Sequence, residues 1–452
     1  MNGPRDLPRN EAWLVVGVLA LVVVVNLPVL GLGGWAFRPG HVTATGLFAP
    51  LVRAAHGRWD LGLLRSAAML AGVLVAVLAA IVLSLGRLRA WAAIAAAAIV
   101  ACVLLLPPVA LQAGLRQSSA PWLFTNDSTY QIELAGGLIR NGSSPYGHDY
   151  SHSGLERFYS LDGSVPPQTT TRQVALRHFA YFPGSALAAA AWGVLPKPIS
   201  DFRFLVVLCA LALLPAALLF PGALGVRLAL GTALAANPLI VFAAWFGTAD
   251  APALLLLVLA FALIARRRCV EAAALIGAAV LFKQFALVAI PFAALMVLHV
   301  RGRLLAASLA FVAVVLAGML PFLATHPHAF WSDTVTYGAS TYRIIGYGLA
   351  ALLLRAHVLK SRTGSYPFLP LALLVWLPVT AWLLRVQHRA RTLWTGAAGF
   401  TLSVFTLLFI ARVFQTSYLV WPLVGGIVAL LLSASEASPR RPLEPSGRSP
   451  SA

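Results

Sequence analysis

The chain has 452 residues, 60% of them hydrophobic and 10% charged, with a mean hydropathy of +0.84. An ordinary soluble domain carries about 25% charged residues, so this composition cannot clothe a water-exposed globule and excludes a soluble enzyme, a disordered regulator and a secreted disulfide scaffold. The formal charge of +19 would suggest nucleic acid in a soluble protein. Here the cations form short clusters between apolar runs, at Arg87/Arg89, Arg266–Arg268, Arg301/Arg303, Arg385–Arg391 and Arg440/Arg441. That is the positive-inside pattern of a polytopic membrane protein, whose partner is the bilayer and not nucleic acid.

A helix needs about 20 apolar residues to cross about 30 Å of hydrocarbon, and lipid admits only helices and closed barrels. The expected class is therefore all-α, a transmembrane bundle of about 10–13 membrane segments. Ala12–Leu30 comes first and, lacking a small-residue cleavage site, reads as a retained span. With Leu63–Leu85 and Ala90–Ala110 it makes an N-terminal group of transmembrane helices, residues 1–111. Residues 112–180 form the first large extracytoplasmic loop, with five of the 14 acids. Residues 181–432 form the core. Its spans are Phe202–Phe220, Leu224–Ala244, Ala249–Ala265, Leu304–Leu323, Phe368–Leu384, Leu393–Ile410 and Tyr418–Leu432, and Phe182–Leu195, Ala272–Leu298 and Ile344–Leu354 are awkward extra segments. Residues 433–452, rich in Pro, Ser and Arg, read as a disordered cytoplasmic tail. Cys102, Cys209 and Cys269 have no metal-ligand spacing and read as small packing residues.

The clusters at Arg266–Arg268 and Arg301/Arg303 both belong inside, so the apolar run between them must go in and come back. Twelve residues on either side of Lys283 reach about 18 Å. A short hairpin or broken helix is expected, with Lys283 and Gln284 at its apex. Ile344–Leu354 reads as interfacial or re-entrant, because parity otherwise puts Arg385–Arg391 outside. The same count leaves Phe182–Trp245 odd by one segment.

Several residues could carry chemistry. Tyr130, Leu134 and Leu138 recur at helical spacing and predict a short interfacial amphipathic helix with Asp127 at its N-terminus. Asp127 is either the cap of that helix or a carboxylate fixed at the membrane surface. It is both only if Asn126 or Ser128 does the capping. Gly142–Tyr146 is a turn, and Arg177-His178 leads to Tyr181-Phe-Pro183, an aromatic-Pro helix start. Asp250 opens an apolar run, where a helix dipole would stabilise it. Lys283, set within apolar residues, is a functional-site hypothesis by default, with an anion such as a lipid phosphate as its partner. Arg343, just after Tyr342, and Arg412 are phosphate clamps or interfacial anchors. His326 and His328 read as surface residues.

The order of these elements resembles the C-type integral-membrane glycosyltransferases, most closely family 87, which uses polyprenyl-phosphate mannose. The matching features run from Asp127 to Pro422. They are the outer Asp before a helix bearing Tyr130, Gly142-x-x-Pro145-Tyr146, Tyr181-Phe-Pro183, Asn237-Pro238, Gly247-x-x-Asp250, Lys283 in a broken segment, and Ser417-Tyr418 with Pro422. The resemblance implies that Asp127 is the catalytic base. Phosphate is already a fair leaving group, so one base for the acceptor hydroxyl and fixed cations for the donor phosphate would suffice. Those cations are Lys283 with Arg343 and Arg412. Tyr130, Tyr146, His178, Tyr181, Asp250, Gln284, Tyr342 and Tyr418 are the expected substrate contacts. Where related transferases carry a metal-binding Asp-x-Asp this chain has Asp127-Ser-Thr129, so no metal or other cofactor is expected. The resulting expectation is an inverting plasma-membrane enzyme. It would transfer a hexose, mannose on the resemblance, to a glycolipid or glycan acceptor on the extracytoplasmic face. A pentose such as arabinose stays open, and the competing reading is a lipid flippase or secondary transporter, which also uses broken helices.

Overall fold

A computed structural model describes residues 6–28, 42–59, 61–86, 88–118, 125–156, 175–341 and 343–437. It is an all-helical bundle whose only strands among these residues are Ile345–Gly346 and Val413–Phe414, paired in parallel. Eight helices are long and apolar enough to cross a membrane: Arg9–Asn26, Gly62–Ser84, Ala90–Gln117, Leu224–Phe246, Leu304–Thr325, Phe368–Ala390, Leu393–Ile410 and Thr416–Ala437. Phe202–Leu218 and Asp250–Ala265 are shorter apolar helices of the same bundle. The outward faces are apolar too. Leu304–Thr325 buries only Ala307 and Phe322, while Leu305, Leu309, Val312, Leu316 and Leu320 stand exposed. Such a surface is stable against lipid and not against water, so the chain is a multi-pass membrane protein.

Hydrogen bonds show which helix termini share an end. At the basic end the Gly225 N–H donates to Glu11, Arg266 Nε to the Leu219 carbonyl, the Leu393 N–H to Glu436 and the Ser435 hydroxyl to the Pro221 carbonyl. At the opposite end Thr129 Oγ1 donates to the Phe246 carbonyl and Tyr347 pairs with Thr416. The N-terminal helices belong to this one core. Asn26 Nδ2 donates to the Ala236 carbonyl at 2.6 Å, and the Arg9–Asn26 helix shares a continuous apolar cluster with the rest.

The Lys283 break is as expected. Cys269–Phe282 is helical, Lys283 is extended (φ −152°, ψ 126°), Gln284–Val288 forms a 3₁₀ turn, and Ala289–His299 is helical again. The two arms form a hairpin, because a Cβ on Gly302, just past the second arm, would lie 2.6 Å from Cys269 Sγ at the foot of the first. The clusters Arg266–Arg268 and Arg301/Arg303 therefore share one end.

Other expectations are corrected. Phe182–Leu195 is no span: its helix, Pro183–Trp192, has ten residues, about 15 Å at the helical rise. It packs on the Asp127–Arg140 helix at the end opposite the basic clusters, and this removes the odd segment. Leu224–Ala244 is interrupted at Asn237, whose side chain accepts from the Leu239 and Ile240 N–H groups and restarts the helix at Pro238. Ile344–Leu354, expected as interfacial or re-entrant, is not overturned: it forms the short strand and a seven-residue helix, Leu349–Arg355, too short to cross. The loop expected from residue 112 begins later, because the third helix runs on to Gln117. The tail expected from residue 433 starts as helix to Ala437, and 438–452 lie outside the described residues.

Candidate functional site

The Asp127–Arg140 helix begins with Asn126 as its cap: Asn126 Oδ1 accepts the Thr129 N–H at 2.8 Å. Asp127 is thereby released from the capping role. Its carboxylate, half-buried, accepts the neighbouring Ser128 N–H at 2.9 Å and faces its own backbone N–H. Burial lifts its pKa above the ordinary aspartate value, partly offset by backbone N–H groups and by the positive charge of Arg343. Thr129 fixes the helix by donating to the Phe246 carbonyl at 2.9 Å. That approach needs glycine at position 247, which lies at φ +81° and whose Cβ would overlap Thr129 Oγ1 and Arg203.

From Asp127 a chain of contacts leads to the hairpin apex. Ser128 Oγ and the Tyr181 hydroxyl share a hydrogen bond of 2.6 Å, and Lys283 Nζ lies 5.1 Å from the Tyr181 ring centre. The rings of Phe285 and Tyr418 stand 5.6 and 5.7 Å from the same ammonium, an aromatic cage that favours a cation. Gln284 pins the apex by donating to the Ala180 carbonyl at 3.0 Å. The structure also supplies a protein partner for Lys283, where the sequence suggested a lipid anion. Asp250 Oδ1 lies 3.7 Å from Nζ, and this fully buried carboxylate accepts from Trp421 Nε1 at 2.8 Å and from the Thr248 hydroxyl. A separation of 3.7 Å is a loose ion pair. It lowers the cost of burying the lysine and leaves ammonium donors facing the cage.

The other expected residues fall into two groups. Arg343 and Arg412 come together through the parallel pair, which they precede by two residues and one. Arg343 is half-buried with its charge acting on Asp127. Arg412 is buried and donates to the Gly364 carbonyl at 2.8 Å, which ties it to the loop after the Leu349–Arg355 helix. His178, Tyr146 and Tyr130 shape the surroundings. His178 Nδ1 is 2.6 Å from Asp333 Oδ1 and its ring stacks on Tyr337. Tyr146 is buried among Phe179, Phe322 and Phe330 and donates to the Tyr181 carbonyl at 3.0 Å. Tyr130 donates to the Ser153 carbonyl at 2.9 Å. Tyr342 lies outside the described residues. His326 and His328 are exposed.

Several organising residues carry no signal in the sequence. Asp333 is buried and accepts from Gly147 and Phe179 as well as facing His178. Ser128 and Trp421 are ordinary in a linear reading. A charged network is more legible, because Arg203 interrupts an apolar run. Asp201 caps the Phe202–Leu218 helix, holds Arg203 through both oxygens, and takes Arg116 Nη1 at 2.9 Å. Arg116 also forks onto Glu133 of the amphipathic helix. These cations hold Asp201 far below the usual carboxylate range.

The amphipathic helix, Asp127–Arg140, turns one face to the protein and another to a hollow. The face packed on protein carries Thr129, Ile132, Ala135 and Gly136. Tyr130, Leu134 and Leu138 instead line a cavity of about 380 Å³ with His148, Tyr150 and Ser153. A second cavity, about 270 Å³, lies across Glu133 and Arg140, against Arg116, Lys197 and Trp192. Neither lining includes Asp127 or Lys283.

The family model of glycosyltransferase family 87 matches residues 179–411. The matched stretch contains Tyr181, Asp250, Lys283, Gln284 and Arg343, whereas Asp127 precedes it. No curated protein and no solved structure matches the chain.

Proposed function

Because the chain belongs to glycosyltransferase family 87, we propose that this membrane glycosyltransferase takes a hexose, mannose in our reading, from a polyprenyl phosphate and passes it to a glycolipid or glycan acceptor. Asp127 removes the proton from the acceptor hydroxyl as the oxygen attacks the anomeric carbon. The bond from that carbon to the phosphate oxygen breaks, and the lipid phosphate leaves with the electron pair. Direct displacement from the opposite face inverts the anomeric centre. Lys283, Arg343 and Arg412 hold the departing phosphate, and Tyr181 and Tyr418 shape the space around it. The positive-inside pattern supports assigning this end of the bundle to the extracytoplasmic face of the plasma membrane.

The observation that carries the reading is that Asn126 caps the helix. This leaves Asp127 half-buried and outside the cap position, one residue from the Ser128–Tyr181 link to Lys283. A buried carboxyl with a raised pKa is a better proton acceptor than a free aspartate. The test is sugar transfer by purified protein in detergent. It uses radiolabelled polyprenyl-phosphate mannose, an envelope lipid extract and EDTA. Wild type should remain active, whereas Asp127→Asn should lose about 10²–10⁴-fold, the usual contribution of a general base. Its thermal midpoint should match or exceed that of wild type, since a raised pKa means that ionisation costs stability at neutral pH. Transfer that survives in Asp127→Asn sinks the base assignment. Transfer abolished by EDTA sinks metal independence. Carrier movement across liposomes without transfer would favour the flippase.

A further inference from the structure

On the Asp127–Arg140 helix, Asp127, Tyr130, Leu134 and Leu138 fall at offsets of 3, 7 and 11 residues, one helical stripe. Its last three members form a wall of the 380 Å³ cavity, whose lining ends at Tyr130, and Asp127 lies outside that lining, one turn further along the same stripe. The volume is within the usual range of small-ligand sites, about 300–1,000 Å³. Its floor is apolar, from Leu134, Leu138 and the Tyr130 ring, and its rim is polar, with Glu133, Arg140, Asn141 and His148 in the lining. Apolar faces bounded by hydroxyl partners suit a pyranose ring, whose two faces carry C–H groups and whose edge carries hydroxyls. The hollow is also open at Gly137, where a Cβ would meet nothing nearer than Arg140 Nη2 at 3.8 Å. By contrast, a Cβ on the adjacent Gly136 would lie 2.7 Å from the Ala189 backbone.

We propose that this hollow is the acceptor subsite, binding the sugar end of a glycoside acceptor and leading its hydroxyl along the helix to Asp127. The assignment rests on the transferase reading above, because only an acceptor has to reach the base.

The test uses purified full-length protein and a diazirine-bearing octyl α-mannoside as photoprobe, with labelled peptides located by mass spectrometry. Label is expected on residues 130–153, reduced by excess methyl α-mannoside. Gly137→Trp, which fills the open position and replaces a poor helix former, should cut that label about tenfold or more. Gly426→Trp, at another open glycine in the last helix, should keep it and so controls for the added bulk. Label absent from this segment, or unchanged in Gly137→Trp, overturns the proposal. Displacement by the sugar-free detergent octyl tetraethylene glycol but not by methyl mannoside also overturns it, in favour of a lipid chain. Asp127→Asn should still take the label. If that variant also retains transfer, the base reading fails while the subsite stands.

Discussion

At the scale of single residues, what distinguishes Asp127 is which neighbour does the capping. Asn126 and Asp127 are both good caps, and no linear reading separates them. The hydrogen bond from the Thr129 N–H to Asn126 does. The electrostatics of the carboxyl then yield a pH prediction. Burial raises the pKa of Asp127 and Arg343 pulls it back, so the acidic limb of kcat/KM should lie above the ordinary aspartate value of about 3.9. In Arg343→Gln the restraining charge is gone, and the limb should move to higher pH while overall transfer falls. A fall without movement of the limb would leave Arg343 with the donor phosphate alone. Lys283 shows the opposite balance of legibility. A cation amid apolar residues stands out in any reading, yet its carboxylate partner 33 positions earlier does not, because only packing brings Asp250 beneath it.

Among elements, the amphipathic helix matters most. It is fixed by three independent ties: Thr129 to the Phe246 carbonyl, Glu133 to Arg116, and the backbone approach at Gly136. The last of these gives a clean stability prediction. Gly136→Val has no room against the Ala189 backbone and should lower the thermal midpoint in detergent, by the equivalent of about 1–3 kcal/mol for overpacking. Gly137→Ala, one residue on, should raise it by about 0.5–1 kcal/mol through helix propensity. Equal effects at both sites would mean that the helix does not pack as described. The helix was legible in sequence as an element but not in its orientation. Its apolar stripe does not reveal which face meets the protein, where the small residues Ala135 and Gly136 allow the closest backbone contact. The Pro183–Trp192 segment resembles a span in sequence for a related reason: apolar composition marks residues hidden from water, and it does not separate a crossing from a short helix packed on a neighbour.

For the whole molecule, the paired-back hairpin settles parity. Among the described residues, the eight long apolar helices, the shorter Phe202–Leu218 and Asp250–Ala265 and one returning hairpin put both described ends of the chain, near Leu7 and Glu436, at the basic end. Single cysteines at Arg9 and Glu436, in a background without Cys102, Cys209 and Cys269, should therefore react with a membrane-impermeant maleimide from the same side. A cysteine at Asn141 should react from the other side. Reaction of positions 9 and 141 from one side would refute this topology. The basic clusters made most of this arrangement readable in advance, since charge reports sidedness directly. Contacts between distant parts, such as the pairing of Ile345 with Val413, follow no local rule.

The ion pair at the hairpin apex has a further consequence for how the protein is assembled. A lysine entering lipid alone costs about 2.5–3.5 kcal/mol at the centre of a helix. The ribosome, however, delivers Asp250 first, so its counter-charge is already in the nascent chain when Lys283 emerges. The indole N–H of Trp421, which fixes that carboxylate at 2.8 Å, is made much later. Between those two moments the carboxylate can meet the lysine with only the neighbouring Thr248 hydroxyl to hold it, and its second tie is still missing. The hairpin apex therefore reaches its final geometry only when the last helix docks, and a chain stopped before residue 416 would contain every proposed catalytic group except Tyr418 yet lack the indole that completes the lock.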